Sequence, residues 1–340
     1  MTSRYEIKRL LGSGSYGSVH KAVDKSSNQS VALKVQSEAE ASEWGLANEA
    51  KIMRKLEGLK GIPALYDYFH EDGKEYLLME FLGKPVQTSL TDKPLISNVA
   101  GYIMVKALKV LRGIHNRAVI HRDLKPQNIL FGRKLRKRKV HIIDFNLSTE
   151  LDTNSSEATD SNQIYHFYGT KLFCSGNAYL GHRQSRRDDL ESLVYVLIWM
   201  MKAKLPWCAV DSQGHFLIEE NKKLTSSPVE ICAQCPKEVC DLLCYIRALR
   251  YLEMPDYVYM IRLMKTMRRL SKQVSVLSIG LKPDLTVEGR RGRSASSRNL
   301  LKPNRTPSLT ATPILKPPTL STQARLRIQQ LHTTASPLCI

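Results

Sequence analysis

The chain has 340 residues, of which 42% are hydrophobic, and a formal net charge of +19. Its longest apolar run, Leu193 to Met201, is too short to span a bilayer, and its charged N-terminus lacks the apolar stretch of a signal peptide, so we expect a cytoplasmic or nuclear protein. The residues from Leu281 onward include ten Lys/Arg and two acidic residues and contribute +8 of this charge, and the first 280 residues contribute the other +11. A positive net charge favours acidic partners, but it does not distinguish among protein, nucleic acid and membrane.

The first eighty residues are predicted to form short β-strands with one helix among them. Three runs rich in β-branched residues, Tyr5–Leu11, Ser18–Val23 and Ser30–Val35, are separated by turns rich in Gly, Ser or Asn. Ser42–Leu56 has the composition of a helix. Two further strands, joined by a turn at Asp72-Gly73, are predicted at Ala64–His70 and Glu75–Met79.

From Ile96 onward the hydrophobic pattern has the spacing of helices. Apolar residues recur at steps of three or four after Ile96 and again from Leu190 to Met201, and later helices are predicted at Val229–Arg250 and Tyr257–Leu270. The pattern predicts an α+β fold with a small β-rich lobe (residues 1–80) and a larger helical lobe (residues 81–282). Residues 283–340 hold seven Pro, fourteen Ser/Thr and no aromatic residue, so we expect a disordered basic tail.

A glycine-rich motif lies between the first two predicted strands. It consists of Gly12, Gly14 and Gly17, followed by Val19. Alone, it is compatible with a dinucleotide site or with an ordinary glycine hairpin, but a dinucleotide site requires a helix after the motif and here a strand follows. The context therefore favours a hairpin over nucleotide phosphates, which approach the backbone closely where no Cβ atoms intervene.

Lys34 stands among apolar residues of the third predicted strand, in Val31-Ala32-Leu33-Lys34. Such a lysine is often an edge residue whose amine reaches solvent. Its place after the glycine-rich motif instead favours a cation held against the α- and β-phosphates by a carboxylate on the helix. Glu49 is the candidate for that carboxylate, and Glu43 on the same helix is the alternative.

The most specific motif is His-Arg-Asp-Leu-Lys-Pro-Gln-Asn at residues 121–128, followed by a strand and by Asp144-Phe145-Asn146. Transfer of a phosphoryl group requires a carboxylate that orients the attacking hydroxyl and takes its proton, which Asp123 can do. Lys125 can offset charge on the transferred group, and Asn128 and Asp144 offer oxygen ligands for Mg²⁺. The alternative, an ordinary loop with unrelated charges, fits five matched polar positions poorly.

These motifs resemble those of protein kinases, and other segments are similar to the casein kinase 1 family. The similar segments are Gly61-Ile62-Pro63, Met79–Gly83, Gln184–Ser192, Leu205-Pro206-Trp207 and Pro255-Asp256-Tyr257. The resemblance covers residues 4–270 and implies a two-lobed kinase that binds Mg-ATP between its lobes. It also implies phosphorylation of Ser or Thr near acidic or phosphorylated residues. The tubulin and vaccinia-related kinases are alternative relatives within the same class of enzyme.

The resemblance implies roles for further residues. Met79 corresponds to the gatekeeper, Leu82 to the hinge residue that faces adenine, and Leu130 to the floor of the nucleotide pocket. Asp189 corresponds to a buried carboxylate that braces the catalytic loop. The other residues implied at the nucleotide come from the glycine-rich motif, the third strand and the hinge: Leu11, Gly12, Gly14, Gly17, Val19, Ala32, Lys34 and Glu80.

The sequence departs from the family pattern at three positions. Asn146 replaces the glycine of the Asp-Phe-Gly motif, so we expect strain at a positive φ or slower switching there, with metal binding by Asp144 preserved. Leu172 replaces an arginine of the family's phosphate-binding pocket, and Val194 replaces a glycine in the central helix. A pseudokinase scaffold, which binds nucleotide or a partner without phosphotransfer, is therefore the alternative to an active Ser/Thr kinase.

Two remaining motifs have competing explanations. A set of four cysteines, Cys232, Cys235, Cys240 and Cys244, suggests a zinc site, but its irregular spacing and the lack of a nearby histidine favour free buried thiols. The basic run from Arg133 to Lys139 is either a solvated hairpin tip or a patch for nuclear import or an acidic partner. We expect acidic protein substrates, no nucleic-acid partner and a monomer.

Overall fold

The structure, a computed structural model, describes residues 4–14, 17–38, 45–89, 94–133, 139–153, 165–213 and 215–280, the last seven of these without their side chains. Three predictions lie outside the described residues. They concern Glu43, the centre of the basic run at residues 134–138, and the disordered tail at residues 283–340.

The N-terminal part is an antiparallel β-sheet. Its strands are β1 (Tyr5–Gly14), β2 (Gly17–Asp24), β3 (Gln29–Ser37), β4 (Leu65–Glu71) and β5 (Lys74–Glu80). Their spatial order is β1-β2-β3-β5-β4, so that β1 and β4 form the two edges. The predicted Asp72-Gly73 turn joins β4 to β5, and both of its residues have the positive φ that such turns require.

Strand β3 separates two packing environments. Val31 and Leu33 belong to a small hydrophobic cluster, whereas Ala32 belongs to the main core of the molecule. Because side chains alternate along a strand, Lys34 projects to the same side as Ala32. Helix α1 (Leu46–Lys55) covers that side and buries Leu46 and Ala50 in the same core as Ala32.

Helices are the main secondary structure in the described residues after the sheet. They are α2 (Ser97–Asn116), α3 (Gly176–Tyr179), α4 (Arg186–Lys202), α5 (Glu220–Thr225), α6 (Pro228–Ile231), α7 (Lys237–Arg247) and α8 (Tyr257–Gly280). Helix α4 is central and buried along almost its whole length, including Val194 at the position where the family has glycine. At the start of α4 the Asp188 side chain accepts a hydrogen bond from the Ser185 amide, and Ala203, at a φ of +57°, ends the helix.

Short strand pairs frame the loops between these helices. Strand β6 (Val119–Ile120) pairs with β9 (Thr149–Glu150), and β7 (Ile129–Phe131) pairs with β8 (Val140–Ile142). Residues 121–128 lie between β6 and β7. Strand β10 (Cys208–Val210) pairs with β11 (Phe216–Ile218) farther along the helical part.

The predicted α+β arrangement, with a β-rich lobe followed by a helical lobe, is confirmed. The single helix predicted at Val229–Arg250 is wrong, because the chain turns between α6 and α7. Gln234 takes a φ of +64° in that turn, and Pro236 lacks the N–H group that a continuous helix needs. Helix α8 continues beyond the predicted end at Leu270 to Gly280. Within the described ranges, every helix is too short or too polar to cross a bilayer.

Candidate active site

A buried lysine joins the sheet, helix α1 and the segment after β8. The Nζ atom of Lys34 lies 2.7 Å from Glu49 Oε2 and 2.8 Å from Asp144 Oδ1. The second carboxylate oxygen of Glu49 accepts a hydrogen bond from the Phe145 amide at 3.1 Å. Burial alone would lower the pKa of Lys34, but the two carboxylates outweigh it and raise the pKa, so the amine stays protonated. The structure thus brings together the predicted pair of Lys34 and Glu49.

Asp123 is the centre of a second polar cluster. Its Oδ2 atom accepts a hydrogen bond from Lys125 Nζ at 2.6 Å, and its Oδ1 atom accepts one from Thr170 Oγ1 at 2.7 Å. Lys125 Nζ also donates to Thr170 Oγ1 at 3.2 Å, and Asn128 Nδ2 donates to the Asp123 backbone oxygen at 2.9 Å. Asp123, Lys125 and Asn128 were predicted from the sequence, whereas Thr170 was not.

Asp189, near the start of α4, holds the loop that carries Asp123. Its carboxylate accepts hydrogen bonds from the His121 amide at 2.7 Å and the Arg122 amide at 2.8 Å, and His115 Nε2 lies 2.9 Å from it. Burial raises the pKa of Asp189, but these bonds outweigh burial and the pKa is lowered overall. An ionised, buried carboxylate therefore fixes the backbone immediately before Asp123.

Asn128 immediately precedes β7 and Asp144 follows shortly after β8, and the Ile143 amide donates to the Asn128 backbone oxygen at 3.0 Å. Burial raises the pKa of Asp144, but Lys34 outweighs it, so the pKa is lowered and the carboxylate is ionised. The bonds described above leave Oδ1 of Asn128 and Oδ2 of Asp144 for another partner. A carboxylate and an amide oxygen fit the preference of Mg²⁺ for oxygen ligands.

Asn146 does not have the strained backbone that the sequence suggested. The positive φ in this segment, +71°, belongs to Asp144 and not to Asn146. The buried Asn146 side chain accepts a hydrogen bond from the Leu147 amide at 2.9 Å, and its backbone oxygen accepts one from Asn48 Nδ2 at 2.8 Å. The expectation of strain was wrong, because a residue in an ordinary backbone region does not need the freedom of glycine.

The glycine-rich motif forms the end of the β1–β2 hairpin. Gly14 pairs with Gly17, and the two residues between them lie outside the described ranges. Gly17 has a φ of +91°, and a Cβ atom there would lie 2.0 Å from the Val35 carbonyl oxygen, so only glycine fits. A Cβ atom on Gly12 or Gly14 would meet open space, so both glycines leave room above the hairpin.

The residues implied at the adenine lie on neighbouring strands. Ala32 pairs with Met79 across β3 and β5, and both are buried. The Gly83 amide donates to the Phe131 carbonyl oxygen at 2.8 Å, which ties the segment after β5 to β7. Among the other residues implied at the nucleotide, Val19 pairs with Lys34 across β2 and β3. Leu82 is buried, Leu130 is half-buried and Leu11 is exposed.

Glu80 differs from the other residues predicted at the nucleotide. Its side chain lies 3.4 Å from the Ala64 amide, from which it accepts a hydrogen bond. The same side chain lines a cleft that contains neither Lys34 nor Asp123. A nucleotide beside Lys34 would therefore meet the backbone of Glu80 and not its carboxylate.

Lys223, on α5, is a buried lysine that the sequence analysis missed. Its Nζ atom lies 4.2 Å from the centroid of the Trp207 ring and 4.9 Å from that of Tyr195. It donates to the Leu172 carbonyl oxygen at 3.3 Å, and Trp207 Nε1 donates to the same oxygen at 3.0 Å. Burial lowers the pKa of Lys223 to about 8. Two buried donors thus fix the backbone of the segment that contains Thr170 and Leu172.

The segment after Leu172 is also anchored to α4. Ser175 Oγ donates to Asp188 Oδ1 at 2.6 Å, and Asn177 Nδ2 donates to the same oxygen at 3.2 Å. Asp188 is the third residue of α4, and its other oxygen accepts the Ser185 amide at 2.7 Å. The residues Ser175-Gly176-Asn177 therefore anchor the end of this segment to helix α4.

The four-cysteine set contains free thiols. Cys232 and Cys244 are buried, and Cys235 and Cys240 are half-buried. Burial raises the pKa of Cys244 to about 12, so its sulfur is a neutral thiol at physiological pH. Within the described part of the chain, no group of three or more His, Cys, Asp or Glu side chains is arranged to hold a metal ion.

The family model described as the protein kinase domain matches residues 5–253. The matched range contains the five-stranded sheet, the clusters around Lys34 and Asp123, and the central helix with Asp189. It spans well over half of the chain. The chain therefore belongs to the protein kinase family.

Proposed function

We propose that the chain is an active Ser/Thr protein kinase of the casein kinase 1 type. It would transfer the γ-phosphoryl group of ATP to hydroxyl groups of protein substrates. One observation carries this proposal: the Lys34–Glu49 pair, the ionised Asp144 and the Asp123–Lys125 pair occur together in one site. These are the groups that phosphoryl transfer requires, since its catalysis is mainly positioning and neutralisation of charge.

Protein kinase domains generally use ATP with Mg²⁺, and the residues present suit both. Asn128 and Asp144 would hold the metal ion, which when bound neutralises charge on the phosphates. Lys34, kept protonated and fixed by Glu49, would contact the α- and β-phosphates. The open space beside Gly12 and Gly14 would let those phosphates approach the β1–β2 hairpin.

The adenine would lie between the sheet and β7. Ala32 and Met79 supply apolar contacts from the sheet, and Leu130 supplies one from β7. The hinge between the lobes contributes the backbone of Glu80 and of Leu82. Leu11 and Val19 would cover the base from the β1–β2 hairpin.

Asp123 would act on the hydroxyl of the protein substrate. Its carboxylate orients the hydroxyl and accepts the proton as the new bond from oxygen to the γ-phosphorus forms and the bond to the β-phosphate oxygen breaks. Lys125, 2.6 Å from Asp123, offsets negative charge on the transferred group. Thr170 holds the second oxygen of Asp123 and so fixes the direction of the carboxylate.

The surroundings of Leu172 favour substrates that are acidic but not previously phosphorylated. Leu172 packs against the core and offers no charge where the resembled family has an arginine. The neighbouring Lys171 lies with its amine 5.8 Å from the centroid of the Tyr179 ring. An arginine guanidinium binds phosphate through two parallel hydrogen bonds, and neither Leu172 nor Lys171 can reproduce that geometry. An acidic preference would then come from the diffuse positive charge of the domain, which salt weakens.

The substrate preference can be measured with one peptide carrying phosphoserine, Asp or Ala three residues before the target Ser. We expect similar kcat/KM values for phosphoserine and Asp, and a decrease of both with added salt. An advantage of phosphoserine over Asp of about tenfold or more would show that a phosphate pocket exists despite Leu172.

The alternative of a pseudokinase scaffold was suggested by Asn146 and Leu172. Asn146 takes an ordinary backbone conformation, so it no longer supports that alternative. Leu172 bears on the choice of substrate and not on the transfer itself. Transfer of labelled γ-phosphate to casein by the wild-type protein, and its loss in Asp123→Asn, distinguishes the two functions.

A further inference from the structure

A cleft of about 1620 Å³ lies apart from the candidate active site. The loop that follows α1, one face of α2 and the two described ends of the β7–β8 hairpin form its walls. Lys34, Asp123 and Asp144 do not line it. The cleft is larger than typical small-molecule pockets, which measure roughly 300 to 1,000 Å³. We propose that this cleft, called the basic cleft below, binds an acidic segment of another protein.

Positive charge dominates the lining of the basic cleft. Seven Lys/Arg residues and three Asp/Glu residues line it, a net charge of +4 with His neutral. No carboxylate in the described part of the chain forms an ion pair with any of the seven, in contrast to Lys55 and Arg183, which pair with Glu150 and Asp152. The seven are Arg54, Lys60, Lys106, Lys109, Arg112, Arg133 and Lys139. The cleft therefore presents cations that have no anionic partner among the residues that the structure describes.

Aromatic rings hold three of these cations in place. Arg54 lies over the Tyr68 ring at 5.9 Å and Arg133 over the Phe81 ring at 5.5 Å, measured from guanidinium carbon to ring centroid. The amine of Lys106 lies 5.4 Å from the Tyr102 ring centroid. A ring attracts a cation without neutralising it, and it restricts the motion of the side chain. These side chains therefore lose less conformational entropy when an anion binds.

The floor of the basic cleft offers apolar and polar contacts beside the cations. Ile62, Pro63 and Val110 are buried lining residues. Tyr66, on the edge strand β4, is 44% exposed and has no partner in the register with β5. The Nδ1 atom of His141 is buried and has no hydrogen-bond partner among the described residues. A polypeptide with mixed side chains can use the exposed Tyr66 ring and the apolar surface beside the cations.

The chemistry of the lining favours a polypeptide over nucleic acid and membrane. Glu57, Asp67 and Glu80 also line the cleft, and they would repel a regular array of phosphates. Sites for single-stranded nucleic acid stack bases on several aromatic rings, whereas the lining offers one exposed ring, that of Tyr66. A bilayer surface cannot enter a concave cleft. The chain's own residues from Leu281 onward carry a charge of +8, so they are not the acidic segment either.

The test measures the binding of a fluorescent peptide of Glu, Asp and Leu to the full-length protein by anisotropy, without ATP. In one variant, three exposed cations of the cleft are reversed: Lys60→Glu, Lys109→Glu and Arg112→Glu. In the matched control, three exposed cations of α8 outside the cleft are reversed: Arg262→Glu, Lys265→Glu and Arg269→Glu. We expect the Kd to rise about tenfold or more in the first variant and less than about threefold in the control.

A second variant keeps the charge unchanged. Ala64 is an exposed residue of the lining, and Ala64→Trp would place a large side chain in the cleft without altering a charged group. It should also raise the Kd about tenfold. Thermal unfolding of each variant identifies any that fails to fold. If the variant with three Glu substitutions in the cleft does not fold, the same three cations are replaced by Gln instead.

An equal loss of affinity for the peptide in the cleft variant and in the α8 control would overturn the proposal, because the affinity would then depend only on the net charge of the protein. Unchanged binding in Ala64→Trp would overturn it as well. Tighter binding of a single-stranded RNA or of vesicles containing phosphatidylserine would show that the partner is not a protein. The measurement involves no phosphotransfer, so Asp123→Asn should bind the peptide like the wild type, whatever the outcome for the proposed kinase activity.

Discussion

The Thr170 hydroxyl donates a hydrogen bond to the Asp123 carboxylate at 2.7 Å while it accepts one from Lys125 at 3.2 Å. It thereby links the two charged residues proposed to act on the substrate hydroxyl and the γ-phosphate. The buried side chains of Trp207 and Lys223 donate hydrogen bonds to the Leu172 carbonyl oxygen and hold the backbone of this segment. Thr170 is therefore a positioning residue whose role depends on its hydroxyl.

Thr170→Val, which removes the hydroxyl and keeps the shape, should lower kcat about tenfold to a hundredfold, because misplacing a catalytic group has effects of this size. The KM for ATP should change little, since Thr170 does not touch Lys34 or Asp144. Thr170→Ser keeps the hydroxyl and should retain most of the activity. Steady-state kinetics of both variants test this, and equal activity of the Val variant and the wild type would contradict the role.

Asp144→Asn should weaken the binding of Mg-ATP about tenfold or more, because a metal ligand and the ion pair with Lys34 lose their charge. The affinity for ATP in EDTA should fall much less. Titration calorimetry with and without Mg²⁺ measures both values. Asp152→Asn, at an exposed carboxylate that pairs with Arg183, is the matched control and should bind like the wild type. Equal effects of Asp144→Asn with and without Mg²⁺ would exclude the metal role.

Asn146→Gly should lower the free energy of unfolding by about 1 to 2 kcal/mol, because glycine adds freedom to the unfolded chain and a buried hydrogen bond is lost. It should not raise activity, since the backbone at residue 146 already takes an ordinary conformation. Urea unfolding and kinase assays measure the two effects. Asn146→Ala loses the same bond without the added freedom, so it should be the less destabilised variant. A clear gain of activity in Asn146→Gly would show that asparagine does restrict the segment.

Lys223 predicts a pH dependence of stability. Burial lowers its pKa from 10.5 to about 8 in the folded chain, so between these values the unfolded chain binds more protons. The free energy of unfolding should therefore rise with pH across this window. Relative to Lys223→Met, the wild type should gain about 2 kcal/mol from pH 8 to pH 10.5. Urea unfolding of both proteins measures the difference, and a difference that does not vary with pH would contradict this explanation.

Local sequence patterns predicted the parts of the site that lie within single motifs. Asp123, Lys125 and Asn128 share one segment of eight residues, so their proximity follows from the motif. The Lys34–Glu49 pair was predicted with an alternative, because two carboxylates of one predicted helix were available. The order of strands and helices was also predictable, since their periodicities differ.

Long-range packing explains what the sequence analysis missed. Thr170 reaches Asp123 across 47 positions, and Lys223 reaches Leu172 across 51, without a motif that marks either pair. The break before α7 was missed because the apolar spacing outweighed Pro236 in the prediction. At Asn146 the family pattern suggested a positive φ, whereas the structure has it at Asp144.

The most direct test of the proposed function is transfer of labelled γ-phosphate from ATP to casein and to arrays of acidic peptides containing Ser, Thr or Tyr. The wild-type protein should label Ser and Thr peptides in the presence of Mg²⁺. Asp123→Asn should label none of them while its affinity for ATP stays close to that of the wild type, because the lost carboxylate acts on the hydroxyl and not on the nucleotide. Binding of ATP by the wild type without transfer to any peptide, or full transfer by Asp123→Asn, would contradict the proposed function.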